Sequence, residues 1–168
     1  MPITMYAASA PRFVHMLNNL SALLDKAQAH VDAKKLDPAA LTTARLYPDM
    51  FHFARQVQVA CDVAKGAVAR LGGVEVPKHE DTEQTIAELK ARIARTVAFI
   101  ETVPQAAIDA SAERDITLKL GRGEYTFKGM QYLLNFALPN FHFHMTTAYN
   151  ILRHNGVELV KKDYIGNF

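Results

Sequence analysis

Apolar side chains recur at spacings of three and four along four long stretches of the chain, and at a spacing of two along one short stretch. Phe13, Leu17, Leu20, Leu24, Ala27 and Val31 line one face of a first helix, predicted from Ile3 or Thr4 to about Val31. Pro11 lies near its start, where it is tolerated or gives a mild kink, and His15 falls opposite the apolar face, in solvent. Lys34, Lys35, Asp37 and Pro38 read as a break. "YPDMF" announces a second helix. Pro48 suits a first turn, where its missing N–H would have no partner, and Asp49 suits the positive end of the helix dipole. Its apolar set is Met50, Ala54, Val57, Cys61, Ala64, Val68 and Leu71, and Gly72-Gly73 ends it. Asp81 and Gln84 have capping-box spacing, so a third helix is predicted to begin there. Ile86, Leu89, Ile93, Val97 and Ile100 form its buried stripe, and Pro104 closes it. A fourth runs from Gly129 or Met130 to Asn155-Gly156 on the stripe Leu134, Leu138, Phe141, Met145, Ala148 and Leu152. Pro139, inside it, should kink it or break it locally.

"ITLKLGRGEYTF" differs. Ile116, Leu118 and Leu120 alternate with Thr117 and Lys119, and Tyr125 and Phe127 flank Thr126 beyond Gly121-Arg122-Gly123. Period two around a Gly-rich turn predicts a β-hairpin. A phosphate loop would need a helix N-terminus directly after the glycines, and none follows. The predicted fold is all-α: an up-down four-helix bundle with a small β-hairpin insertion before the last long helix, one domain over residues 1–168. The tail after Gly156 carries no clear pattern.

Composition narrows the function classes. The 168 residues are 49% apolar and 21% charged, with a formal net charge of +2. That balance, with Lys161-Lys162 as the strongest basic cluster, argues against a nucleic-acid binder. No stretch of about 20 apolar residues suggests a membrane span, and the N-terminus lacks the pattern of a secretory signal, so a cytoplasmic location is expected. Cys61, the single cysteine, sits on a helical core position and reads as a small hydrophobe.

The densest candidate chemistry is "PNFHFHMTTAYNILRHNG", residues 139–156. A helix turns about 100° per residue, so His142 and His144 point about 200° apart and His154 lies roughly 15 Å beyond His144. These three cannot hold one ion between them. Asn140 and His144, four apart, share a face and form the best nucleus for a polar pocket. Asp49, His52 and Gln56 on the second helix would complete it if the two shoulders oppose. The expected pocket is therefore Asp49, Gln56, Asn140 and His144, open to a small-molecule ligand. Phe136 and Phe143, seven apart and opposite the core stripe, suggest a second buried surface: either the fourth helix is enclosed on both sides or this face packs on another subunit, a symmetric homodimer being favoured, and the competing reading is a Pro139 kink that re-phases Phe136.

Two long stretches, "LYPDMFHFARQVQVACDVAKGAVARLGG" and "PNFHFHMTTAYNILRHNGVELVKKDYIG", resemble an uncharacterised bacterial and fungal family, a domain of unknown function within the DinB/YfiT-like superfamily of four-helix bundles. The resemblance covers nearly the whole chain and implies an up-down bundle, frequently dimeric. Many superfamily members bind zinc or nickel through one histidine of the second helix and an H-x-x-x-H pair of the fourth, and some are thiol-dependent transferases or damage-inducible proteins. This chain departs from that pattern. Asn140 stands four before His144, Ala148 four after it, and Thr146 four after His142. Only His144, with His52 on the second helix, carries over as a metal ligand. The expectation is a degenerate triad with no tightly bound metal. The alternative is a divalent-metal enzyme, transferase-like, whose incomplete coordination sphere uses His144, His52 and Asp49. No motif fixes a reaction.

Overall fold

Pro11 divides the first predicted helix. In the computed structural model, which describes residues 2–121 and 123–167, α1 (Met5–Ala8) ends at Ser9 and α2 (Ala10–Lys34) restarts with the proline in its first turn. Ser9 leaves helical geometry (φ −122°, ψ −86°), and its buried hydroxyl donates to the Met5 carbonyl at 2.6 Å. A short α3 (Ala39–Thr42) follows. The second long helix, α4 (Phe53–Gly72), begins later than predicted. Tyr47 to Met50 form a turn, closed by the Met50 N–H donating to the Tyr47 carbonyl at 3.0 Å, and Met50 is half-buried there rather than on the helix core. The start is fixed by His52, whose imidazole accepts the Arg55 N–H, and by the Phe53 N–H, which donates to the Ala44 carbonyl at 2.8 Å. Gly73 ends α4 in the left-handed region, at φ +69°.

The third helix, α5 (Ile86–Thr102), starts at Thr85 and not at Asp81. Thr85 and Glu88 form the capping box. The Glu88 N–H donates to Thr85 Oγ1 (3.2 Å) and the Thr85 N–H to Glu88 Oε2 (2.9 Å). After Pro104 comes a short α6 (Gln105–Asp109), where the Asp109 carboxylate accepts the Tyr6 N–H at 2.8 Å and ties α1 down.

The predicted hairpin forms from β1 (Asp115–Leu120) and β2 (Gly123–Lys128), antiparallel, with Ile116 opposite Phe127 and Thr117 opposite Thr126. Ile116 and Leu118 face the core, and the two threonine hydroxyls bond across the outer face at 2.9 Å. Arg122, at the centre of the turn, lies outside the described residues. Gly129 then admits the chain where it crosses the Ser111 carbonyl. A side chain there would collide with that oxygen.

The last long helix is continuous but not uniform. α7 (Gly129–Gln131) passes into a π-helical stretch, Tyr132–Ala137, and then into α8 (Leu138–His154). Pairing to i+5 inserts one extra residue per turn and slips the apolar phase. Upstream of Pro139 the buried residues are therefore Tyr132, Leu133 and Ala137, while Leu134, placed on the core stripe from the sequence, is 50% exposed. The slip turns Phe136 inward too. It stacks on Tyr132 (centroids 5.9 Å apart) and lies 6.0 Å from Phe127 of the hairpin, so it does not share an open face with Phe143.

α4 packs between α8 and α5, and α2 packs on α5. The tail carries α9 (Lys161–Ile165), which lies on α2. His15 is accordingly half-buried rather than in solvent, with Nε2 donating to the Ile165 carbonyl at 2.7 Å. The bundle with its hairpin insertion is the architecture expected from the sequence.

Candidate functional site

His142 and His144 diverge. His142 Nδ1 lies 3.2 Å from the Tyr164 hydroxyl of α9, and His144 turns the other way, onto α4. There His144 Nδ1 sits 2.7 Å from Gln56 Oε1, both side chains buried. The amide orientation follows from its other end, since Gln56 Nε2 donates to the Phe51 carbonyl at 3.0 Å. The amide oxygen must then accept from Nδ1–H. Neutral His144 thus carries its proton on Nδ1 and presents the Nε2 lone pair. Burial, with the Arg55 charge adding to it, holds its pKa below the usual histidine value, so the ring is neutral at physiological pH.

Beside this pair opens a cavity of about 220 Å³ lined by Asp49, Met50, Phe51, Gln56, Phe143 and His144. Three of the four residues predicted to meet do so here. Asn140 does not. It lines a separate cavity with Arg70, Tyr132 and Phe136, because four residues along α8 carry it past the reach of the Asp49 turn.

His52 is elsewhere again. Its imidazole caps α4 and lines a third cavity, of about 500 Å³, with Thr42, Arg55, Gln58, Asp81 and Glu83. Below that cavity lies a charge cluster that sequence reasoning missed. Arg92 of α5 is fully buried, with ion pairs of 2.9 Å each to Asp62, Asp81 and Glu83. Glu83 is also held by Arg95 (3.1 Å) and by the Gln58 amide (3.2 Å), and Asp62 by Lys65 (2.9 Å). The one available signal was angular. Arg92 lies three residues after Leu89 and one before Ile93, inside the buried sector.

The superfamily's metal does not fit these residues. The position facing His144 across the bundle is an amide, Gln56, which already occupies Nδ1. His52 lines a different cavity, and among the described residues no three His, Cys, Asp or Glu side chains are placed to hold an ion. The His144 imidazole with the Asp49 carboxylate on the same cavity supplies two ligands, short of the three or four that hold zinc or nickel tightly. Cys61 adds nothing, being fully buried with its thiol pushed up to about 12 by desolvation.

The family described as "Domain of unknown function (DUF1993)" matches residues 5–165. The crystal structure of a DinB family member from Shewanella denitrificans is 45% identical over 97% of this chain and 92% of its own, with a TM-score of 0.90. No curated protein matches the chain. The match over almost the whole length, with a DinB family member of the same fold, makes this chain a member of the DUF1993 family, a DinB-like helical bundle of uncharacterised function.

Proposed function

We propose that the protein is a small-molecule-binding bundle, cytoplasmic and homodimeric, which holds its ligand beside His144 without a tightly bound metal. The observation that carries this is the fixed tautomer of His144, set by Gln56 and in turn by the Phe51 carbonyl. A buried, neutral imidazole with Nε2 left as acceptor is built to receive a hydrogen-bond donor. The Asp49 carboxylate on the same cavity is a second acceptor, and Met50, Phe51 and Phe143 supply apolar surface. Two acceptors against an apolar wall suit an amphipathic amine or alcohol. No described helix is long and apolar enough to cross a membrane.

Benzylamine is a direct probe. It is expected to shift the His144 ring resonances saturably, to lose its binding in His144→Ala, and to bind less well as acidification protonates the ring. Elemental analysis of protein purified without chelator is expected to give substoichiometric transition metal, unaltered by His144→Ala. A full equivalent of metal, lost with that substitution, would replace this proposal by the metal-enzyme alternative.

A further inference from the structure

The π-helical turn and the hairpin together border an open cavity of about 410 Å³ against α4. Arg70, Lys119, Tyr132, Phe136, Asn140 and Asp62 carry its chemistry. Arg70 is the informative residue. It is half-buried, and among the described residues no carboxylate pairs with it. Its guanidinium folds back over Gly66, one turn earlier on α4. Glycine inside a helix costs about 1 kcal/mol relative to alanine, and the space it leaves is occupied by this guanidinium. The far end is held by Tyr132, whose buried hydroxyl accepts from Arg70 at 3.2 Å.

That bond leaves donors without acceptors. The phenol accepts from Arg70, and its own proton has no acceptor among the described residues. Arg70 retains further N–H groups, Lys119 lies exposed on β1, and the Asn140 amide is half-buried with no hydrogen bond among the described residues. Asp62, the carboxylate on the lining, is already taken by Arg92 and Lys65. With Asp62 neutralised in this way, Arg70 and Lys119 leave the lining cationic. Tyr132 and Phe136, stacked 5.9 Å apart, form a flat apolar wall beside it.

We propose that this second cavity, between α4, the hairpin and the π turn, binds a small aromatic carboxylate. The carboxylate is received by the Arg70 fork and the Tyr132 hydroxyl, and the ring lies along Phe136. Guanidinium matches a carboxylate with two parallel N–H···O bonds. The site is distinct from the His144 cavity and does not depend on it.

The test is an amide-resolved NMR titration of the full chain with benzoate, benzyl alcohol and inorganic phosphate. Benzoate is expected to shift Gly66, Tyr132 and Asn140 saturably, and benzyl alcohol to leave them unmoved. Arg70→Met should weaken benzoate about tenfold or more, the scale of a lost charge-assisted hydrogen bond. Lys119→Met, an exposed change that leaves the core intact, should weaken it by a smaller factor, and His144→Ala should leave it unaltered. The proposal is overturned if benzoate produces no saturable shift, if phosphate or benzyl alcohol binds as well as benzoate, or if benzoate binds equally to wild type and both charge variants.

Discussion

At the scale of single residues, the pairing of Gln56 with His144 is the most exposed to test. Replacing Gln56 by Leu keeps the volume but removes the acceptor for His144 Nδ1–H. A buried donor left without a partner costs about 1–3 kcal/mol, so Gln56→Leu should lower the urea midpoint correspondingly. The His144 ring should also lose its single tautomer, read from its nitrogen chemical shifts. Retention of the Nδ1–H form in Gln56→Leu would show that something other than the amide fixes the ring. The same histidine sets a pH dependence. Its pKa falls from 6.5 on folding, chiefly by burial and then through Arg55, so the unfolded chain binds more protons in the window between the two values. The stability contributed by the neutral ring is complete above pH 6.5 and is lost as pH falls toward the lowered value. His79 and His142 shift the same way, each mainly by burial, so His144→Gln should flatten the slope of stability against pH below neutrality without abolishing it. An unaltered slope would remove His144 from the account.

At the scale of elements, the π turn makes a sharper prediction. Tyr132–Ala137 carries one residue more than an α-helix needs, and Pro139, which has no N–H and crowds the carbonyl four residues back, follows directly. Deleting Leu134, half-exposed in the turn, would restore α spacing while keeping both flanking core phases, but would set Pro139 in a regular helix interior. Deletion alone should therefore cost about 3 kcal/mol, and much of that should return when Pro139→Ala is added, as measured by thermal unfolding of the two variants. Equal stabilities would mean that Pro139 is not what the π turn accommodates. The four amphipathic stretches and the hairpin were legible because period and turn chemistry are local. The slip was legible only as the alternative of a Pro139 kink that re-phases Phe136, because a one-residue change of phase alters no composition and the proline signals only that some break exists. Asp81 illustrates the opposite error. Its capping-box spacing with Gln84 was real, but Thr85 and Glu88 offered a better box directly before the apolar run, and Asp81 went to Arg92. The Arg92 cluster depends on Asp62, Asp81 and Glu83 arriving from α4 and the segment before α5, a tertiary event that no local window contains. His144 with Gln56 and Asp49 was legible as a possible meeting of shoulders, whereas the level along α8 at which the Asp49 turn sits, which leaves Asn140 beyond it, was not.

At the scale of the whole molecule, the question is what covers Phe143. It is 57% exposed, and Phe51, 50% exposed, lies with it on the rim of the His144 cavity. Phe136, turned into the Tyr132 stack, no longer argues for an interface, so the dimer proposal now rests on Phe143 and Phe51. Two aromatics at one rim suit an isologous contact, in which each copy presents the same patch to its mate. Such a contact would close each His144 cavity with the other copy's aromatic surface, and so would couple assembly to ligand affinity. Phe143→Asp places a charge at the centre of that patch without touching the bundle core. Light scattering should give twice the chain mass for wild type and the chain mass for the variant, while thermal unfolding shows the variant still folded. Benzylamine should bind wild type more weakly on dilution into the monomer range, because anything that prefers the closed dimer stabilises it by mass action. A monomeric wild type would sink the interface. A dimer that persists in Phe143→Asp would place the contact on another face, and the cavity would then open directly to solvent, with benzylamine affinity independent of protein concentration.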